Sequence, residues 1–310
     1  AVFAAWPLVY ATAFSGFYWA LLAVLWALFL RPTGFDFRSK IADPRWRSFW
    51  DWGLFVGSAV PPLIFGVAFG NLLLGVPFHF DANLVPYYTG TFWQLLNPFA
   101  LLSGVVSVAM ITFHGANYLM HRTEGEIQRR ARTAAIVFGA LLLVTFALAG
   151  VWVSAGIGGY AIVAGADPSA VSNPLAKEVV AQPGAWFANY THHPFTLAAP
   201  VLAIAATLAG LWSASRNRGL GAFVCSSLAM AGVILTAAVS MFPFVMPSSS
   251  SPGSSLTVWD ATSSHLTLGI MFWAVVIFMP LIIFYTRWAY GVMSGKVTVD
   301  YIRRNERSTY

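Results

Sequence analysis

RPTGFDFRSKIADPRWRSFWDW, residues 31–52, is the stretch from which the rest of the sequence is read. It carries Arg31, Arg38, Lys40, Arg45 and Arg47 between two long apolar runs. Both runs are too long and too hydrophobic for ordinary core helices. The stretch is therefore a connection between two bilayer spans, and its Lys/Arg excess assigns it to the cytoplasmic side.

Working outward, residues 2–30 form an apolar run without charge, long enough for one span, with Pro7 near its start where a helix tolerates proline. The chain opens on Ala-Val-Phe, already inside that run. Neither an initiator Met nor a basic n-region with a small-residue cleavage site precedes it, so it is read as lacking its true N-terminus. On the other side, Ser48 and Asp51 have capping-box spacing at the head of a second span over residues 53–74. Within that span Pro61 and Pro62 remove the amides that would bond the carbonyls of Gly57 and Ser58, which predicts a bend at mid-membrane.

The same logic continues to the C-terminus. Residues 92–113, 134–155, 195–214, 220–242 and 266–286 are five further spans, giving seven. The segments at about 31–50, 117–133, 215–219 and 287–310 hold sixteen of the seventeen Lys and Arg residues, and the alternate segments hold only Lys177. Strict alternation of charge makes the first set cytoplasmic and leaves the C-terminus inside. The fold class is all-α, a polytopic membrane bundle formed by a single domain over residues 1–310. Gly66 and Gly70, and Ser103, Gly104 and Ser107, recur at helical spacing, so at least one of these small-residue faces is a helix contact.

Composition agrees. At 58% hydrophobic and 9% charged the chain is far from the roughly one-quarter charged residues of soluble domains. The net charge of +6 needs no nucleic-acid partner, because its cations fall in the short connections where positive-inside bias puts them. The single cysteine, Cys225, excludes an internal disulfide and a CxxC metal site, and reads as a small apolar residue inside a helix.

Little here resembles a complete active site. His192 and His193 are adjacent, His79 and His265 lie at loops, His121 is at a helix end, and only His114 approaches a span. That spacing offers no axial-ligand pair, and no metal site is expected. All eleven carboxylates fall in loops or at helix ends. Asp51 and Asp260 read as helix-start acids. Asp36 is less ordinary, between Phe35 and Phe37 in a glycine-containing turn, with Arg38 and Lys40 just beyond. Its plain reading is a solvated acid beside a cation. The other is a carboxylate that exchanges protons at the membrane surface.

AAWPLVYATAFSGFY (4–18), RPTGFDFRSK (31–40), WDWGLFVGSAVPPL (50–63), GVAFGNLLLGVPF (66–78), QLLNPFALLSGVVSV (94–108), SNPLAKEV (172–179), MFPFVMPSS (241–249) and LTVWDATSSHLTL (256–268) together resemble subunit II of the cytochrome bd quinol oxidases. The likeness covers essentially the whole chain, without the family's first helix. It implies eight helices in two four-helix bundles, in the bacterial inner membrane. It further implies a haem-bearing subunit I that holds haems b and d, oxidises ubiquinol or menaquinol and reduces O2 to water. No catalytic residue then belongs to this chain, which would scaffold subunit I and carry part of a proton path with Asp36, Lys40 and the terminal Tyr310 at its mouth. The resemblance leaves room for a structural quinone here, for small accessory membrane subunits and for contact with lipid. From the residues alone, proline-broken helices also allow a secondary transporter.

Overall fold

The computed structural model describes residues 2–165, 172–292 and 295–298. Ten α-helices appear in it: α1 (Val2–Ala5), α2 (Pro7–Gly16), α3 (Tyr18–Phe37), α4 (Pro44–Leu74), α5 (Pro98–Arg122), α6 (Gly125–Gly156), α7 (Ala188–His192), α8 (Ala198–Ser215), α9 (Gly219–Met241) and α10 (His265–Val292). Seven of them, α3–α6 and α8–α10, are long and apolar enough to cross a membrane.

The first apolar run is not one span. It breaks at Trp6 and again at Phe17, and α1 and α2 pack against loops at one end of the bundle, where Ala5 O accepts from Ser263 N. A run that is hydrophobic throughout carries no signal for where it leaves the bilayer, because the apolar core of that end layer is equally good solvent for Trp6, Leu8 and Val9. The spanning piece is α3, which continues through Pro32 seven residues past the expected end. The basic connections are likewise mostly helix. Only residues 38–43 separate α3 from α4, and only 123–124 separate α5 from α6. Charged residues at a helix end face water without breaking the backbone ladder, so hydropathy marks the buried part of each helix rather than its whole length.

α4 starts earlier than the Ser48/Asp51 pair implies. Asp43 is its N-cap, accepting from Arg45 N at 2.8 Å, and Pro44 follows at N1, where a missing amide costs nothing. The helix then remains continuous through Pro61 and Pro62.

Packing follows small residues. A Cβ on Gly66 would lie 2.5 Å from Ser103 O and one on Gly70 2.6 Å from Ala100 Cα, so these glycines let α4 and α5 touch backbone to backbone. The two faces marked in the sequence meet each other. α5, α6, α8 and α9 form a four-helix group around Phe113, Met120, Leu142, Ala214 and Ala222, while α4 and then α3 extend as a row from α5. α10 has no buried residue, and its principal contact is with α1.

At the end opposite the basic connections, three antiparallel hairpins form a layer. They are β1 (Phe78–Phe80) with β2 (Pro86–Tyr88), β3 (Gly158–Ala164) with β4 (Glu178–Pro183), and β5 (Phe244–Met246) with β6 (Leu256–Thr257). This layer caps helix ends whose last carbonyls have no intrahelical partner. Trp186 Nε1 donates to Leu73 O and Tyr160 OH to Leu74 O at the end of α4, and Asn189 Nδ2 does the same for Val239 O and Phe242 O at the end of α9.

Candidate functional site

The elbow between α3 and α4 collects the charged residues singled out in the sequence. Gly34 lies against Leu54 and Trp50, and Gly57 against the Ala27 carbonyl and Arg31, so the two helices run close together up to the turn. Trp46 Nε1 donates to Phe37 O at 2.8 Å across that turn, and Phe37 stacks on Trp50 at 6.0 Å. The backbone that carries Asp36 is thereby held.

Asp36 is on the last turn of α3, not in a loop, and it is exposed, as is Lys40 four residues on. The adjacent cation is committed elsewhere. Arg38 grips Asp51 with two bonds, Nε to Oδ1 at 2.6 Å and Nη2 to Oδ2 at 3.3 Å. The hydrogen bond to Asp51 pushes the Arg38 pKa up, against the smaller lowering effect of partial burial. Asp51 is thus an ion-pair partner two turns into α4, not the helix-start acid that its spacing implied. An open groove of about 260 Å³ beside the pair is lined by Ser48, Asp51, Trp52 and Phe55. Tyr310, the third member of the expected site, lies outside the described residues.

Asp260 is also not a helix cap. Its Oδ2 lies 2.6 Å from Nζ of Lys177, whose side chain is 2% exposed, and its Oδ1 accepts from Thr257 N at 2.9 Å. Lys177 Nζ donates further to Pro174 O at 2.8 Å. Burial lowers the Lys177 pKa, and the bond and charge of Asp260 partly restore it. The pair locks the β3–β4 hairpin to the approach of α10, whose N-terminus is capped by Ser264 through Thr267 N at 3.3 Å. The signal for this in the sequence was the isolation of Lys177 as the one cation away from the basic connections.

The histidines do not converge. His79 stacks on Tyr87 in the first hairpin, His193 lies by Phe195, and His114 meets Ser226 Oγ through Nδ1 at 3.0 Å while stacking on Phe223. Among the described residues no group of three or more His, Cys, Asp or Glu side chains could hold a metal ion. Two turns further along, α5 and α9 close directly on each other, a Cβ on Gly219 lying 2.8 Å from His121 Cα.

Seven apolar helices among the described residues, with the described ion pairs in their connections and at their ends, define a polytopic integral-membrane protein. The family described as cytochrome bd terminal oxidase subunit II matches residues 1–293. Over 310 residues, all of this chain and 82% of the relative, it is 56% identical to cytochrome bd-I ubiquinol oxidase subunit 2 of Escherichia coli K12. It is 52% identical, with the same coverage, to a probable cytochrome oxidase subunit 2 of Haemophilus influenzae. A bd oxidase chain from Geobacillus thermodenitrificans shares the fold at TM-score 0.56 and 12% identity, over 87% of this chain and 72% of that one. The chain belongs to the cytochrome bd terminal oxidase subunit II family. It is accordingly part of a haem-dependent quinol oxidase complex of the bacterial inner membrane, with a subunit I as partner. That membership does not support the transporter reading.

Proposed function

We propose that this chain is the haem-free half of its complex. It scaffolds a subunit I that holds haems b and d, oxidises ubiquinol or menaquinol and reduces O2 to water, and it delivers protons to that reaction from the cytoplasm. The haems, when bound in subunit I, supply the oxygen chemistry. The basic elbows and the C-terminus face the cytoplasm in this reading, supported by the placement of sixteen of seventeen cations at or beside one set of connections. Membrane lipid, a structural quinone and small accessory subunits complete the surroundings, and the exposed length of α10 offers surface for them.

Making water from O2 consumes protons that the bilayer interior does not hold, so titratable groups and waters must bring them from the surface. The observation that carries this role is the position of Asp36. Its carboxylate sits at a helix C-terminus, where the partial negative charge of the last carbonyls opposes it, and its neighbour Arg38 is bound to Asp51 instead. An exposed acid at the water boundary is where a proton path from the cytoplasm would begin. Lys40 draws water and counter-charge around it, and Tyr310 is the third residue we assign to this path.

The test is Asp36→Asn in the assembled complex. Quinol-driven oxygen consumption and the accompanying charge movement should fall severalfold, with haem per complex and subunit ratio unchanged. Unchanged turnover and charge movement would return Asp36 to an ordinary solvated acid.

A further inference from the structure

Asn117 stands out against every other amide in the bundle. Among the described residues its Oδ1 and Nδ2 are both buried and both without a hydrogen-bond partner, and the residue is 0% exposed. Asn71, also buried, shows what a satisfied amide looks like here. Its Nδ2 donates to Val67 O and Leu95 O, and its Oδ1 accepts from Asn97. Buried polar atoms in folded proteins are nearly always paired, with protein or with water.

The surroundings of Asn117 follow from the helix repeat. One turn earlier on the same face, the Phe113 ring is wedged between α6 and α8, where a Cβ on Gly139 or on Gly210 would lie 2.8 Å from it. One turn toward the basic end from those glycines are Ala135 on α6 and Ala214 on α8, both 0% exposed. On α9, His114 meets Ser226 and His121 meets Gly219, so the antiparallel register brings Ala222, again 0% exposed, opposite Asn117. All three alanines belong to the same buried cluster as Phe113. Their methyl groups offer no hydrogen bond, and their backbone groups lie within helices.

Asn117 is five residues from Arg122 at the end of α5, roughly 8 Å along the helix from the basic end.

We propose that Asn117 is the anchor of an internal water site at the junction of α5, α6, α8 and α9, in which an ordered water donates to Oδ1 or accepts from Nδ2. The site is distinct from the Asp36 elbow and independent of the proton reading.

The test is a map of the intact complex at a resolution that shows ordered water, together with melting of Asn117→Leu. Density at about 2.7–3.2 Å from Oδ1 or Nδ2 is expected. Asn117→Leu should lose that density and lower the apparent Tm, whereas Asn117→Ser, which keeps a polar group and adds room, should retain density. A dry carboxamide, or one bonded directly to a protein atom, overturns the proposal. So does a rise in Tm for Asn117→Leu, the result when an unpaired amide is simply replaced by a better-packed apolar side chain.

Discussion

Lys177 and Asp260 permit a prediction with a magnitude. Their ammonium and carboxylate are 2.6 Å apart, with the two side chains 2% and 15% exposed. Lys177→Met leaves Asp260 with its bond from Thr257 N but strips Oδ2 of its counter-charge, and Asp260→Leu leaves an ammonium whose remaining partner is Pro174 O. Breaking a buried pair from one side costs about 3–5 kcal/mol, while replacing both members by apolar groups is often close to neutral. Each single variant should therefore lower the apparent Tm of the purified complex by on the order of 5–10 °C, and the double variant should recover most of that loss. Cleavage within residues 243–264 under limited proteolysis should rise and recover in step. The pH dependence has a definite sign. Burial lowers the Lys177 pKa below its ordinary value, so the unfolded chain binds the proton more tightly, and this group's contribution to stability grows as pH rises toward about 10.4. Lys177→Met removes that component. Single variants that melt like the parent, or a double variant as unstable as the two losses added, would refute the account of a coupled pair.

Gly70→Val should lower the yield of assembled complex strongly, measured by size-exclusion chromatography, because its Cβ would meet Ala100 Cα at 2.6 Å and force α4 off α5. Tyr160→Phe removes the bond to Leu74 O and should cost about 0.5–1.5 kcal/mol near neutral pH. Burial raises the Tyr160 pKa, so its share of stability is present below about pH 10 and lost as pH climbs beyond it, and the variant should show a shallower alkaline decline in Tm. His114→Ala should leave the haem spectrum per complex unaltered if this chain is haem-free as proposed, and loss of one haem's absorbance would count against that status.

The spans were legible before any coordinates, because a bilayer demands about twenty apolar residues in a row and places cations on one side, and both demands are written locally. The pairing of Gly66 and Gly70 with Ser103 and Gly104 was half visible for the same reason: small residues at helical spacing mark a contact without naming the partner. What hydropathy cannot encode is where a helix stops. The run at residues 2–30 hides the breaks at Trp6 and Phe17, and polar helix ends such as GEIQRRAR at 125–132 were read as loop. Charge pairing was equally hidden. Asp51 and Asp260 have the spacing of caps, yet one is claimed by Arg38 and the other by Lys177 across 83 residues, and only the fold brings those partners within 3 Å. Asn117 is the sharpest case, since its letter in the sequence is that of an ordinary helix-end amide and only helix packing leaves it buried without a partner. Local pattern determines which segments enter the membrane, because each residue's transfer from water depends on that residue alone. Tertiary structure decides which polar groups are left without partners, because a hydrogen bond needs two atoms and the second is rarely nearby in the chain.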